Sequence, residues 1–497
     1  MIYDYSFYNG DPVSVVTFYG NLILTFIIIF MERKQPSSTY AWLMFLWIFP
    51  IIGFLFYIMF SQKFSSRRIY KFRAQQIRAV KEEVTAQAEE LREPLSKDSP
   101  LYPFRRYKDN IEFQNNVSHS LFTPDNSVEI FTDGKALFMK MLDDFRAAET
   151  SINVEFYILK YDGIGKEFID TLAQKAREGV QVRVLYDELG SRKLPRKARK
   201  LLREAGAAEG PFLPSKLVTI SKFFTLRLNY RDHRKIAVID GKIGYIGGYN
   251  VGDEYLGLDK KFGYWRDTHI RITGPAATEL QLRFLSDWTT NNSEITNEPI
   301  KKNLDMLLPM VQGTGDVGIQ IVASGPDTVN QNIKQGYIKM INDAKHHIYI
   351  TSPYFVLDES INEALRIALL SGVEVEIIIP DKPDHSFIYP TTLSYAGQLI
   401  TYGAKVYTYQ NGFVHAKLMC IDDELSVVGS CNFDIRSFSL NFECSAFLYS
   451  RDITAQLISD FEHDTTLSRH YSLNDYLGRS SVQKMKESLS RLLAPVL

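Results

Sequence analysis

The chain has 497 residues, 45% of them hydrophobic, and its 57 Lys and Arg nearly balance 58 Asp and Glu, leaving a net charge of −1. That length is too great for one ordinary hydrophobic core and suits a membrane segment followed by two domains. Near-neutrality excludes the global basic field of a dedicated nucleic-acid binder, so partners are read from local sequence.

Residues 1–62 read as a two-helix transmembrane anchor. Val13 to Phe30 is an uncharged run of about one bilayer width, and Tyr40 to Phe60 is a second, longer one. A secretory signal peptide is the rival reading of the first run, but Asp4 and Asp11 stand where a basic leader would, and a second apolar run follows at once. Lys63, Arg67, Arg68, Lys71 and Arg73 outweigh Arg33 and Lys34 of the short loop, which puts both ends of the hairpin and the soluble part in the cytoplasm. Pro50 and Gly53 read as a kink or a close-packing point in the second helix. Residues 63–117 follow as a charged helical linker, rich in Lys, Arg, Glu, Gln and Ala as far as Lys97.

Beyond the linker the sequence repeats itself. DDFRAAETS running into INVEFYIL, around Phe138 to Leu159, is matched by MINDAKHH running into IYITSPYF, around Tyr337 to Phe355. A glycine-led strand follows in each copy, at Gly179 and Gly372, and a Gly-Ala step precedes each motif strand, at Gly206 and Gly403. This alternation of helix and buried apolar strand argues for an α/β fold. The expected architecture is two pseudo-symmetric α/β sandwich halves with mixed sheets, residues 118–300 and 301–497, packed about a pseudo-two-fold axis.

Each half carries the pattern HxKxxxxDxxxxxxGxxN with identical spacing. The first copy supplies His233, Lys235, Asp240 and Asn250; the second supplies His415, Lys417, Asp422 and Asn432. On a strand, residues i and i+2 share a face, so each His projects beside its Lys. Such a set suits a phosphate. A neutral imidazole attacks phosphorus to form a phosphohistidine, and a second, protonated imidazole gives its proton to the departing alcohol. The lysines and asparagines hold the non-bridging oxygens, so no metal or cofactor is called for. Each motif Asp either supports local geometry or orients a His.

The duplicated motif resembles that of the phospholipase D superfamily. MERKQPSSTYAWLMFLWIFPIIGFLFY, LNYRDHRKIAVIDGKIGYIGGYN, YWRDTHIRITGP and the terminal SLSRLLAPVL together resemble bacterial cardiolipin synthases from end to end. The resemblance implies an enzyme of the bacterial cell membrane, embedded in the lipid bilayer, that converts two phosphatidylglycerol molecules into cardiolipin and glycerol. It also implies His233 as nucleophile and His415 as acid/base, although the motif itself is symmetric on this point. Glu443, in NFEC, matches a position that supports the opposing His, and Asp267 in WRDTH is its counterpart.

Weaker signals have plainer readings. Seven basic residues between Arg192 and Arg203 form a solvated helical face or touch anionic headgroups. The apolar run from Phe212 to Phe224 is core, lid or an interfacial surface. VQKMKESLSRLL near the C-terminus reads as a helix packed on the domain. Tyr157 and Tyr354 end matching strands, His346, His347 and His385 are surface or structural, and Cys420, Cys431 and Cys444 stay reduced. Two alternatives stay open, namely hydrolysis by intercepting water and a lipid-binding scaffold with a vestigial site.

Overall fold

A computed structural model describes residues 12–31, 36–60, 84–91, 95–212, 230–291, 311–313, 315–382, 384 and 388–493. The expected charged loop at 32–35, the basic cluster at 63–73, most of the apolar run after Phe212, and His385 lie outside these residues. The chain forms two units, Met1–Ser65 with Pro214–Tyr230, and Ser66–Leu213 with Arg231–Leu497.

In the first unit, the first apolar run is helical over Pro12–Phe26 and continues as a wider turn, Ile27–Met31. The second run is broken at Phe49 into Pro36–Ile48 and Pro50–Phe60. Pro50 lacks an N–H, so the carbonyl of Leu46 loses its helical donor. Asn21, buried on the first helix, replaces it: its Nδ2 donates to Leu46 O at 3.2 Å and to Pro50 O at 3.1 Å. Gly20 lies against the Phe54 ring, which a Cβ there would meet at 3.0 Å. The expected close packing is therefore present, whereas the expected pair of long spanning helices is not. No helix among the described residues is long and apolar enough to cross a membrane. The interruptions at Pro50 and at the wide turn are the physical reason.

The second unit is organised by one mixed sheet of 15 strands. The first half contributes β1 (Phe122–Phe131), β2 (Ser151–Phe156), β3 (Gln181–Asp187), β4 (Ala208–Phe212), β5 (Lys235–Ile239), β6 (Ile243–Gly247) and β7 (His269–Thr273). The second half contributes β8 (Val317–Ser324), β9 (His347–Thr351), β10 (Glu374–Pro380), β11 (Lys405–Tyr409), β12 (Leu418–Ile421), β13 (Leu425–Gly429), β14 (Glu443–Tyr449) and β15 (Ser468–His470). Outward from the centre, the first half runs β1-β7-β6-β5-β2-β3-β4 and the second β8-β14-β13-β12-β9-β10-β11-β15. The first seven strands of each series correspond, β15 being an addition at the outer edge of the second half, and antiparallel pairing of β1 with β8 joins the two. The expected duplication is thus a pseudo-two-fold about the β1–β8 seam, with the halves sharing one sheet.

Strand alternation splits each motif strand between two cores. Ala237 and Ile239 face the core of the first half, whereas Ile236 and Val238 face an inner core built jointly with Ile319, Leu418, Cys420 and Val428. The expected charged linker behaves differently from a solvated spacer. Its described part buries Leu91, Leu101, Phe104, Tyr107 and Ile111 against Val322, Tyr337 and Ile341 of the second half. Apolar residues at helical spacing outweigh the charges that surround them. The C-terminal helix Ser481–Leu493 buries Glu487 and Ser490, while Val482, Met485 and Leu489 face outward. Its contact with the domain is polar: Glu487 pairs with Arg479, and Arg491 lies over the Tyr395 ring.

A bulge in β1 between Thr123 and Asn126 accommodates the seam. Buried Asn126 donates to Thr123 O (2.8 Å) and Val317 O (3.1 Å) and accepts from Ala276 N (2.8 Å). Asn126→Ala strands a buried donor and acceptors that water does not reach. We expect it to destabilise the protein by about 2–3 kcal/mol, read as a lowered thermal midpoint in detergent; an unchanged midpoint contradicts this role.

Candidate active site

Each motif His sits just ahead of its strand, with Lys235 opening β5 and Lys417 immediately preceding β12. The segment carrying each His pairs with the opposite half. His233 N donates to Phe442 O (2.9 Å) and Phe442 N to Arg231 O (2.8 Å). On the other side Phe413 N donates to Tyr264 O (2.9 Å) and His415 N to Arg266 O (2.6 Å). Each His is therefore laid beside the residue that precedes a carboxylate of the other half.

The side chains complete the exchange. His233 Nδ1 lies 2.9 and 3.0 Å from the two oxygens of Glu443, and 3.1 Å from Ser430 O. His415 Nδ1 lies 2.6 Å from Asp267 Oδ2. A carboxylate opposite Nδ1 selects the tautomer with the proton on Nδ1, which leaves the Nε2 lone pair for chemistry. Lys235 Nζ donates to His233 O at 2.6 Å, and Lys417 Nζ donates to His415 O and stands 2.6 Å from His415 Nδ1.

All six of these side chains are buried. Burial, followed by the charges of Lys235 and Lys417, holds the His233 imidazole well below the ordinary histidine range. Burial and Lys417 pull His415 down to about 4 against the opposing charge of Asp267. Burial likewise pulls Lys235 down to about 7 and Lys417 to about 8. The field of each lysine reaches the histidine of the other half, so the two motifs share one electrostatic site.

The two carboxylates differ. Burial pushes Glu443 up to about 7 even though Lys235 opposes it. Burial would raise Asp267 as well, but the charges of Lys417 and His415 outweigh it and hold the group below the usual carboxylate range. Asp267 is thus held towards its ionised form, whereas Glu443 is pushed towards its neutral form.

The structure brings His233, Lys235, His415, Lys417, Glu443 and Asp267 together; it puts the motif aspartates elsewhere. Asp240 accepts from the N–H groups of Glu149 (3.0 Å), Thr150 (2.7 Å) and Ser151 (2.8 Å). Asp422 accepts from those of Lys345 (2.6 Å), His346 (2.7 Å) and His347 (2.9 Å). Of the two roles expected of each motif Asp, these bonds are those of local support. Each follows the far end of its motif strand and ties it to the turn entering β2 or β9. Asn250 accepts from Ile158 N at 3.0 Å, and Asn432 Nδ2 donates to Ser437 Oγ at 3.3 Å, so both amides also support neighbouring loops. The motif glycine Gly248 serves the carboxylate: a Cβ there would stand 1.9 Å from Asp267 Oδ1.

Sequence reasoning missed the partners of Glu443, which accepts from Ser430 Oγ and from Asn441 Nδ2 (3.2 Å). Ser430 stands where the first copy has Gly248, and that break in the repeat was its only signal. Also missed was a buried network behind the site, in which Arg234 pairs with Asp287 at 2.9 Å near Glu155 and Asp232. Burial pushes Asp232 up to about 7, against Arg234.

A family model described as cardiolipin synthase, PLD-like domain, matches residues 141–288 and 337–465, and one described as phospholipase D-nuclease N-terminal matches residues 21–62. The chain is 47% identical to the major cardiolipin synthase of Bacillus subtilis (strain 168), over 96% of this chain and 97% of that one. It is 44% identical to a cardiolipin synthase of Oceanobacillus iheyensis, over 97% and 98% of the two chains. Among solved structures, phosphatidylserine synthase of Haemophilus influenzae Rd KW20 superposes with a TM-score of 0.60 at 14% identity, over 78% of this chain and 100% of that one, a likeness of fold.

The placement of Asp240 has a measurable consequence. Burial opposes its ionisation, but the N–H groups of Glu149, Ser151 and Thr150 hold it below the usual carboxylate range. Its contribution is present above that range and is lost as pH falls through the lowered value. Asp240→Ala should cost about 1–3 kcal/mol at pH 7, and chemical denaturation should show the deficit from wild type shrinking below about pH 4. A deficit that holds constant with pH contradicts the assignment.

Proposed function

The chain belongs to the cardiolipin synthase family of phospholipase D-like enzymes, and we propose that its crossed His–carboxylate pairs convert two phosphatidylglycerols into cardiolipin and glycerol. His233 Nε2 attacks the phosphorus of the first lipid. The P–O bond to its headgroup glycerol breaks, and His415 delivers the proton to that oxygen. A phosphatidyl-histidine remains. A terminal hydroxyl of the second phosphatidylglycerol then gives its proton to His415 and attacks phosphorus; the P–N bond breaks and cardiolipin leaves. One phosphodiester replaces another, so no nucleotide is consumed.

The difference between the carboxylates supports this division of labour. Asp267, held towards its charged form, favours a proton on His415, as an acid/base requires, while Glu443, pushed towards its neutral form beside His233, favours the neutral nucleophile. Lys235 and Lys417, both held low by burial, recover full charge when a phosphate anion enters between them. They also offset charge developing in the transition state. Asn250 and Asn432 keep the adjoining loops in place. The observation that carries the reading is the pairing of each motif His with a carboxylate of the opposite half. The enzyme is membrane-associated, and the three N-terminal helices, which expose Val13, Val16, Ile23, Phe26, Tyr40 and Met44, form its anchor in the bilayer.

Purified enzyme given phosphatidylglycerol labelled in its headgroup should release cardiolipin and free labelled glycerol; phosphatidic acid as the main product would indicate hydrolysis instead. His233→Ala and His415→Ala should each lower turnover at least about 10²–10⁴-fold. Wild-type enzyme denatured at alkaline pH, where a P–N bond survives, should carry the phosphatidyl group on the peptide containing His233, and an adduct on the peptide containing His415 reverses the roles. The first step needs a neutral His233, a His415 that carries a proton and charged lysines, the latter two favoured by the entering phosphate anion. The acid limb of kcat/KM should therefore lie below the ordinary histidine value and the alkaline limb near pH 7–8, with the limb of kcat displaced upward by bound phosphate.

A further inference from the structure

The helix Ser481–Leu493 has its sidedness reversed. The residues it turns to the protein are polar: Glu487 and Ser490 are buried, and Glu487 pairs with Arg479. Its apolar residues Val482, Met485 and Leu489 follow one another at helical spacing along one stripe and are 57%, 58% and 57% exposed. A surface helix of a globular domain ordinarily does the opposite and buries that stripe. The short helix just before it, Leu473–Leu477, repeats the pattern, with Leu473 and Leu477 one turn apart and both exposed.

Both helices are held in this attitude by the helix Ile388–Ile400. Arg491 stands over the Tyr395 ring at 4.9 Å, and the Tyr476 ring closes on Gly397, where a Cβ would meet it at 2.0 Å. Turning the stripe inward would break the buried Arg479–Glu487 pair, which is costly. The supporting helix also carries Thr392, whose hydroxyl accepts from Phe355 N at 3.2 Å, and Phe355 pairs with Phe433, next to Asn432 of the second motif. The outward stripe is thus fixed to the half that carries His415. Its charges select what it meets. From Ser481 to Arg491 the one acid is Glu487, buried and paired, whereas Lys484, Lys486 and Arg491 are exposed. A second copy seated face to face would set these cations against their own kind. A helix about 20 Å long also falls short of the roughly 20–30 residues a side of a stable protein interface. An anionic bilayer suits both features: the apolar side chains enter the acyl boundary, and the lysine stems let their ammonium groups reach the headgroups.

We propose that Ser481–Leu493, with Leu473 and Leu477 before it, is an interfacial element that seats the catalytic unit on an anionic phospholipid surface, a contact additional to the N-terminal anchor. Phosphatidylglycerol carries the charge that this face attracts, so the contact keeps the unit where its substrate lies. It acts on where the unit sits and not on the reacting groups, so a substrate dissolved as single molecules bypasses it.

Cys420, Cys431 and Cys444 are buried, so a cysteine placed on the stripe takes a thiol probe selectively. The full chain with Met485→Cys, carrying an environment-sensitive fluorophore, is reconstituted into vesicles of phosphatidylglycerol or of phosphatidylcholine, each with and without bromine on the acyl chains. Brominated phosphatidylglycerol should quench the probe at least about twofold, and brominated phosphatidylcholine should quench it less. Enzyme with Lys484→Glu and Lys486→Glu together should turn over phosphatidylglycerol vesicles at least about fivefold more slowly, while its turnover of monomeric short-chain phosphatidylglycerol matches wild type and shows an intact fold. No quenching in either lipid overturns the proposal, and a blue-shifted but unquenched probe assigns the face to a protein instead. Equal quenching in both lipids, or unchanged turnover on vesicles, overturns the part played by anionic charge. If the double variant loses turnover of both substrates, the probe decides. The probe reads contact without turnover, so a wild type that makes no cardiolipin would overturn the reading of the reaction and leave this test standing.

Discussion

The structure depends on an exchange of backbone hydrogen bonds between halves: the residues around His233 pair with Phe442, and those around His415 pair with Tyr264 and Arg266. These few N–H to carbonyl bonds set the distance from each imidazole to a carboxylate of the other repeat. Neither half contains a complete His–carboxylate pair. The continuous sheet, joined antiparallel at β1 and β8, holds the exchange in register because slipping one strand by a residue would reverse the faces of its side chains.

That exchange is made in a buried place, and burial sets the electrostatics. Two imidazoles and two lysines are all held below their ordinary values, chiefly because the surroundings disfavour charge. A phosphodiester anion among these groups would favour their charged forms. The polar groups that aim the imidazoles are fixed before substrate arrives, so little reorganisation remains for the reaction itself. Motif residues that do not touch the site maintain it: Asp240 and Asp422 bind the turns ahead of β2 and β9, and Gly248 leaves room for Asp267.

Duplication supplies two similar half-sites, and small departures from symmetry give them different work. Glu443 faces Asp267 across the axis, and Ser430, a hydroxyl donor to Glu443, stands where Gly248 admits Asp267 closely. One imidazole consequently has a partner held towards its charged form and the other a carboxyl shared with several donors.

Much of this was legible in the chain. His233, Lys235, His415 and Lys417 were found from spacing, because residues two apart on a strand share a face wherever that strand lies. The α/β halves were found from alternating helix and strand, and Glu443 and Asp267 from family likeness. For the motif aspartates the choice between local support and orienting a His stayed open, since a side chain that accepts backbone N–H groups seventy or more residues away leaves no local trace. The second apolar run was read as a span kinked or closely packed at Pro50 and Gly53, and the break falls at Pro50; the remote Asn21 that bonds across it left no trace in the sequence. The amino-acid order alone determined the reactive groups and their duplication, both being matters of local spacing. Only the folded chain decided which carboxylate serves which imidazole, because those distances are set by strand pairing across the pseudo-two-fold seam.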